Sequence, residues 1–146
     1  MYILIIMNYI GKFLSRLGLQ EYIPLDILLV LISTCDKEKR MLHLDYFVNN
    51  FKYYENQYSP SSVSVAFLPC VDTEELALPY ECYSDPSCKI MNYKILTKHL
   101  REHAEKLGVK AFPSAREIIN RLINNPPSIE DAPKVFSFIA QRQSGK

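Results

Sequence analysis

Residues 79–108 read PYECYSDPSCKIMNYKILTKHLREHAEKLG and hold two of the chain's four cysteines and two of its three histidines. His99 and His103 are four apart, so on an α-helix their imidazoles share one face and can reach one ion from the same side. Cys82 and Cys88 flank Asp85-Pro86, a turn-forming pair that brings two thiolates back toward a common point. Two soft thiolates and two imidazoles in tetrahedral geometry favour zinc. Other readings of the same residues stay open. The histidines can be solvated side chains between Lys98 and Arg101, and the cysteines a disulfide or free thiols. Cys70 could also replace Cys88, although eleven residues separate it from Cys82.

Further residues fit one module. Tyr80 stands two before Cys82, Leu96 three before His99, and Lys89 directly after Cys88. With the phrase LTKHLREH at 96–103, residues 80–107 resemble a Cys-Cys-His-His zinc finger. Five residues lie between the cysteines and ten between Cys88 and His99, against two to four and about twelve in the family. Cys82 and His99 are nonetheless 99 − 82 = 17 apart, as the family requires. Ile90 occupies the place of a core aromatic.

The resemblance implies one zinc held by Cys82, Cys88, His99 and His103 in a ββα-like unit whose helix begins near Tyr93. Base-reading positions would be Asn92, Ile95 and Lys98, with Lys94 beside them and Arg101 on the same basic surface. Asn addresses adenine and Lys guanine or phosphate, whereas Ile95 offers only contact with a thymine methyl. One finger covers about three base pairs, so weak nucleic-acid binding or binding to another protein is implied. A four-ligand site leaves no position open for water, which implies a structural zinc, no enzyme and no small-molecule substrate.

Outward from this stretch, charge divides unevenly. Residues 1–88 carry 6 Lys+Arg and 11 Asp+Glu, or −5, and residues 89–146 carry 11 and 5, or +6, giving the net +1. Such a split suits a nucleic-acid surface in the basic half. It equally suits two halves that attract each other. The apolar fraction of 48% and charged fraction of 23% are those of an ordinary folded protein. The four glycines form no phosphate-binding loop. Residues 1–10 are apolar but lack the basic start of a signal peptide and are too short to span a bilayer. With so few cysteines, an intracellular reducing compartment is expected, the nucleus if DNA is the partner.

Periodicity predicts a mostly α fold with a small β component: a helical N-terminal part, the ββα-like finger, and a helical C-terminal tail. Ile6, Ile10, Phe13, Leu14 and Leu17 fall at helical spacing, with Gly18 as a stop. Pro24 can open a buried element over residues 27–32. Leu44, Phe47, Val48, Phe51 and Tyr54 repeat at helical spacing, and Val63, Val65 and Phe67 alternate as in a strand. Ser114 and Glu117 fit a capping box, Pro126-Pro127 ends that helix, and a last helix runs through Val135, Phe136 and Ile139. The expected divisions are a helical region at 1–58, an acidic connector at 59–79, the finger at 80–107 and a helical tail at 108–146. Cys35 is expected as a core thiol and His43 as a structural residue. Three functions compete: a zinc-stabilised nucleic-acid-binding regulator, a zinc-stabilised protein-interaction module, and a metal-free helical subunit of a larger assembly.

Overall fold

The structure is a computed structural model and describes residues 22–144. The helix expected between Ile6 and Leu17 lies outside those residues. The fold is mostly α with a small β component, and the chain forms two compact units that meet in sequence between Phe67 and Leu68.

In the first unit, helix α1 (Leu25–Thr34) starts behind Pro24 and buries Leu28, Leu29 and Ile32. Proline is tolerated there because the first turn's N–H groups have no helical acceptor. Helix α2 (Lys37–Asn49) starts where the Asp36 side chain accepts a hydrogen bond from the Lys39 N–H, and buries His43, Leu44, Phe47 and Val48. A single turn, α3 (Phe51–Tyr54), follows. The predicted 44–54 periodicity is therefore one packing face carried across two helical pieces. At its centre the Phe47 ring lies 5.2 Å from Tyr58, 5.6 Å from Tyr54, 5.7 Å from Phe51 and 6.2 Å from Phe67, all edge-on or tilted. These offsets suit the quadrupoles of aromatic rings. The fully buried Tyr54 satisfies its hydroxyl by donating to the Ile23 carbonyl at 2.6 Å. Val63, Val65 and Phe67 form no strand. Phe67 instead turns its ring into the aromatic cluster.

The second unit is built from shorter pieces. Strand β1 (Leu68–Pro69) pairs antiparallel with β2 (Leu76–Ala77), and β3 (Cys82–Tyr83) pairs parallel with β4 (Lys94–Ile95). An antiparallel bridge between Cys70 and Leu96 joins these pairs, as do bonds from the Val71 N–H to the Ile95 carbonyl (2.8 Å) and from the Thr97 N–H to the Pro69 carbonyl (3.2 Å). The result is a ribbon in the order β2, β1, β4, β3, with Lys110 added beside Tyr83. Short 3-10 helices at Pro86–Met91 and Lys98–His103 connect it. One turn, α4 (Ala104–Leu107), ends at Gly108, whose φ of 79° is the left-handed value a helix C-terminus favours.

Helix α5 (Ala115–Asn124) opens with the expected capping box. Ser114 Oγ accepts from the Glu117 N–H at 3.2 Å, and the Glu117 carboxylate accepts from the Ser114 N–H at 3.3 Å. Helix α6 (Ala132–Ser144) follows Pro126-Pro127. Ile118 of α5 and Val135 and Phe138 of α6 pack with Tyr83, Cys88, Met91 and Ile95 into one core.

Candidate functional site

The 80–107 stretch folds differently from a ββα hairpin. Its two strands are parallel rather than antiparallel, and the 3-10 helix Pro86–Met91 lies between them. Tyr93, where the finger helix was expected to begin, instead precedes strand β4. His99 and His103 lie on the 3-10 helix Lys98–His103. At three residues per turn, positions four apart are rotated by about 120° instead of sharing a face. His99 is exposed, while His103 Nε2 lies 3.2 Å from a Glu102 carboxylate oxygen.

Both finger cysteines are buried. Cys82 Sγ is 3.7 Å from the Leu78 carbonyl, and Cys88 Sγ is 3.5 Å from the Ala111 carbonyl. The thiol nearest Cys82 is that of Cys70, brought there because β1 and β3 both border β4. Contact with Cys70, then burial, holds the Cys82 pKa well above the ordinary thiol value; the same contact lowers Cys70. Among the described residues no three His, Cys, Asp or Glu side chains are grouped so as to hold a metal ion.

The expected base-reading residues scatter. Asn92 is exposed, in left-handed conformation (φ 62°), at the end of the 3-10 helix Pro86–Met91. Ile95 is 3% exposed and belongs to the core. Lys94 reaches Glu75 at 3.4 Å, Lys98 is exposed, and Arg101 Nε donates to the Leu96 carbonyl at 3.0 Å. Lys89 pairs with Asp72 and Lys110 with Glu117. The acidic connector thus folds against the basic segment. Counted over the compact units, residues 1–67 carry 6 − 6 = 0 and residues 68–146 carry 11 − 10 = +1, so the sequence asymmetry largely cancels within the second unit.

In the first unit, Cys35 Sγ lies 3.5 Å from His43 Nδ1. Burial raises the Cys35 pKa, partly offset by the Arg40 guanidinium, and burial lowers that of His43. Both shifts favour a neutral thiol beside a neutral imidazole, the reverse of an activated thiolate–imidazolium pair.

Helix α5 supplies chemistry that sequence patterns passed over. The buried Tyr83 hydroxyl donates to the Glu117 carboxylate, and the Tyr93 hydroxyl donates to the Glu117 carbonyl at 3.2 Å. Burial, then the bond to Glu117, raises the Tyr83 pKa and keeps the phenol protonated. Arg121 lies over Tyr93, its central carbon 4.3 Å from the ring centroid, and donates to the Asn92 carbonyl at 3.4 Å. Between α5, α6 and the 3-10 helix Pro86–Met91 is a cavity of about 240 Å³ that Arg121 helps to line. The one sequence signal nearby, Pro126-Pro127, reads as a helix stop and says nothing about a cavity wall.

Among the described residues, large apolar side chains are exposed in the first unit (Ile27, Val30 and Leu42), at Tyr80, and, most strongly, at four positions between 119 and 136. Ile119 and Ile123 are 56% and 72% exposed, one turn apart on α5, and Ile129 and Phe136 are 94% and 60% exposed. No helix among the described residues is long and apolar enough to cross a membrane.

No curated protein and no solved structure matches the chain. Residues 8–145 match the family described as "Protein of unknown function (DUF3684)", and the chain belongs to that family.

Proposed function

We infer that this chain is a protein-interaction module whose contact surface centres on helix α5. The observation that carries this reading is the ridge of Ile119 and Ile123. Isolated exposed apolar residues are ordinary. Two isoleucines one turn apart, followed by Ile129 and Phe136 within the next thirteen positions, form a denser apolar stretch than surface composition requires. A helix whose adjacent face is held by Ile118 and Leu122 offers such a ridge rigidly, as helix-in-groove recognition needs. Pairing of Lys89, Lys94 and Lys110 with carboxylates weighs against phosphate binding as the main role, because paired cations gain less by releasing counterions.

Photo-crosslinking in the native cell tests this. A photoreactive residue at position 123 or 129 should give a discrete protein adduct, and one at the exposed Glu105 should not. The double change Ile119→Ser, Ile123→Ser should remove the adduct formed from position 129 while leaving the far-UV spectrum intact. The absence of any position-specific adduct overturns the reading.

The zinc finger is a second proposal, supported by the residue pattern at 80–107. It places one zinc per chain on Cys82, Cys88, His99 and His103, and requires residues 93–107 to rewind into α-helix so that the imidazoles align. Zinc stoichiometry of protein purified without chelator tests it. One zinc per chain, lost in Cys82→Ser and retained in Cys70→Ser, is the expected result; metal-free folded protein overturns it.

A further inference from the structure

The cavity under Arg121 has the chemistry of a binding site. Its lining includes four apolar side chains: Ile90 and Leu122 are partly exposed, and Met91 and Val135 are nearly buried behind them. Its rim is polar, with Arg121, the Asn125 amide and Asp131. The Pro126-Pro127 connection forms one wall, and proline's fixed φ makes that wall stiff.

Arg121 is the decisive group. A guanidinium has five N–H donors in one plane. Here it lies over the Tyr93 ring and hydrogen-bonds that residue's hydroxyl, and it donates a long bond of 3.4 Å to the Asn92 carbonyl. No carboxylate lies within ion-pair distance of it among the described residues. The side chain is half-buried and held by the Tyr93 ring and hydroxyl and by the Asn92 carbonyl, all neutral groups, so its charge is not neutralised by a carboxylate. Asn92, whose carbonyl anchors it, ends the 3-10 helix in left-handed conformation at φ 62°, as Asn commonly does at a helix C-terminus. Asp131, by contrast, is already engaged, since its carboxylate accepts from the Ser128 hydroxyl at 2.9 Å.

The geometry points to a binding site for a small monocarboxylate with an apolar body. The carboxylate meets the in-plane fork of Arg121, the geometry in which guanidinium binds bidentately. The hydrocarbon rests on Ile90 and Leu122, the two apolar lining residues that are partly exposed. About 240 Å³ is room for a short branched or linear chain and not for a long lipid tail. This site is independent of the interaction ridge, because Ile119 and Ile123 do not line the cavity.

The test uses the full chain and two probes of the same shape, isocaproate and isocaproamide, followed by the methyl resonances of Met91 and Val135. Isocaproate should shift them saturably, in the millimolar range expected of so few atoms. Isocaproamide should bind at least tenfold more weakly. Arg121→Gln should weaken isocaproate by the same factor without changing the amide. Because Arg121 also packs on Tyr93, a second variant, Asn125→Trp, blocks the cavity while keeping the guanidinium, and should abolish binding of both probes. Equal binding of acid and amide, undiminished binding to either folded variant, or no saturable shift with isocaproate overturns the assignment.

Discussion

The described parts of the two units show different kinds of order. Residues 22–67 hold helices of ten and thirteen residues, each burying side chains at helical spacing around one aromatic centre. Residues 68–144 begin with two-residue strands and 3-10 turns whose hydrogen bonds join distant positions: 71 to 95, 97 to 69, 84 to 110. The first kind of order is written in local periodicity. The second depends on partners far along the chain, and no window of ten residues contains both.

The largest expected effect tests the first unit. Phe47→Ala removes the ring around which Phe51, Tyr54, Tyr58 and Phe67 are arranged. Truncating a fully buried phenylalanine costs about 3–5 kcal/mol. Chemical denaturation of wild type and variant should give a difference in that range. A cost below about 1 kcal/mol, the ordinary surface level, would mean that the aromatic centre is not what holds these helices.

A smaller effect separates the units. Tyr83→Phe keeps the ring in the core of the second unit and deletes one bond, that to Glu117, thirty-four residues away. Hydrogen bonds to charged acceptors contribute about 1.5–3 kcal/mol. If the second unit is held by such long-range polar links, Tyr83→Phe should lose stability in that range. Tyr54→Phe leaves a neutral carbonyl without its donor and should lose about 1–3 kcal/mol. A neutral result for Tyr83→Phe would assign the second unit's cohesion to its apolar core alone.

The same contrast explains which expectations came true. The helix at 115–124 is legible from Ser114 and Glu117, and Pro24 marks the start of a buried element at 27–32 without deciding between helix and strand; these signals act within one turn. Alternation at Val63, Val65 and Phe67 suggested a strand, but a strand requires a neighbour, and that segment has none. The phrase at 96–103 suggested a helix with two aligned histidines. The Thr97 N–H is instead tied to the Pro69 carbonyl and the Arg101 side chain to the Leu96 carbonyl, and the turn between them tightens to 3-10. Lys94 and Ile95 were assigned to a reading surface, whereas pairing with β3 turns Ile95 into the core. The Arg121 cavity had no legible signal, since Asn92, Arg121 and Asn125 come together only through packing.

Local signals survive even in the second unit, and Ser114→Ala measures how much one of them contributes. It removes the acceptor of the Glu117 N–H and half of the capping box. Replacing a serine N-cap typically costs about 1 kcal/mol. Thermal unfolding should show a correspondingly modest decrease in Tm, and Ser114→Asp should recover it, since Asp also caps and favours the helix N-terminus. Failure of Asp to rescue would mean that the loss came from elsewhere in the Glu117 network.

The smallest effect is lost in acid and belongs to the first unit. Asp36 caps α2 by accepting from the Lys39 N–H at 3.0 Å. That bond, then the nearby Lys39 charge, holds its pKa below the ordinary 3.8. A carboxyl whose folded pKa is depressed binds protons more readily unfolded than folded. Its contribution is therefore fully present above its unfolded pKa and is lost as pH falls through the folded pKa. Asn caps a helix about as well as Asp but does not titrate in this range. Wild type and Asp36→Asn should then differ most at neutral pH, by the charge interaction with Lys39 and the helix N-terminus. Their denaturation midpoints should converge as pH drops below 3.8. Because the side chain is solvent-exposed, the neutral-pH difference should also shrink with added salt. Midpoints that stay parallel across the acid range would show that Asp36 acts only as a neutral cap and that the charge has no part in starting the helix.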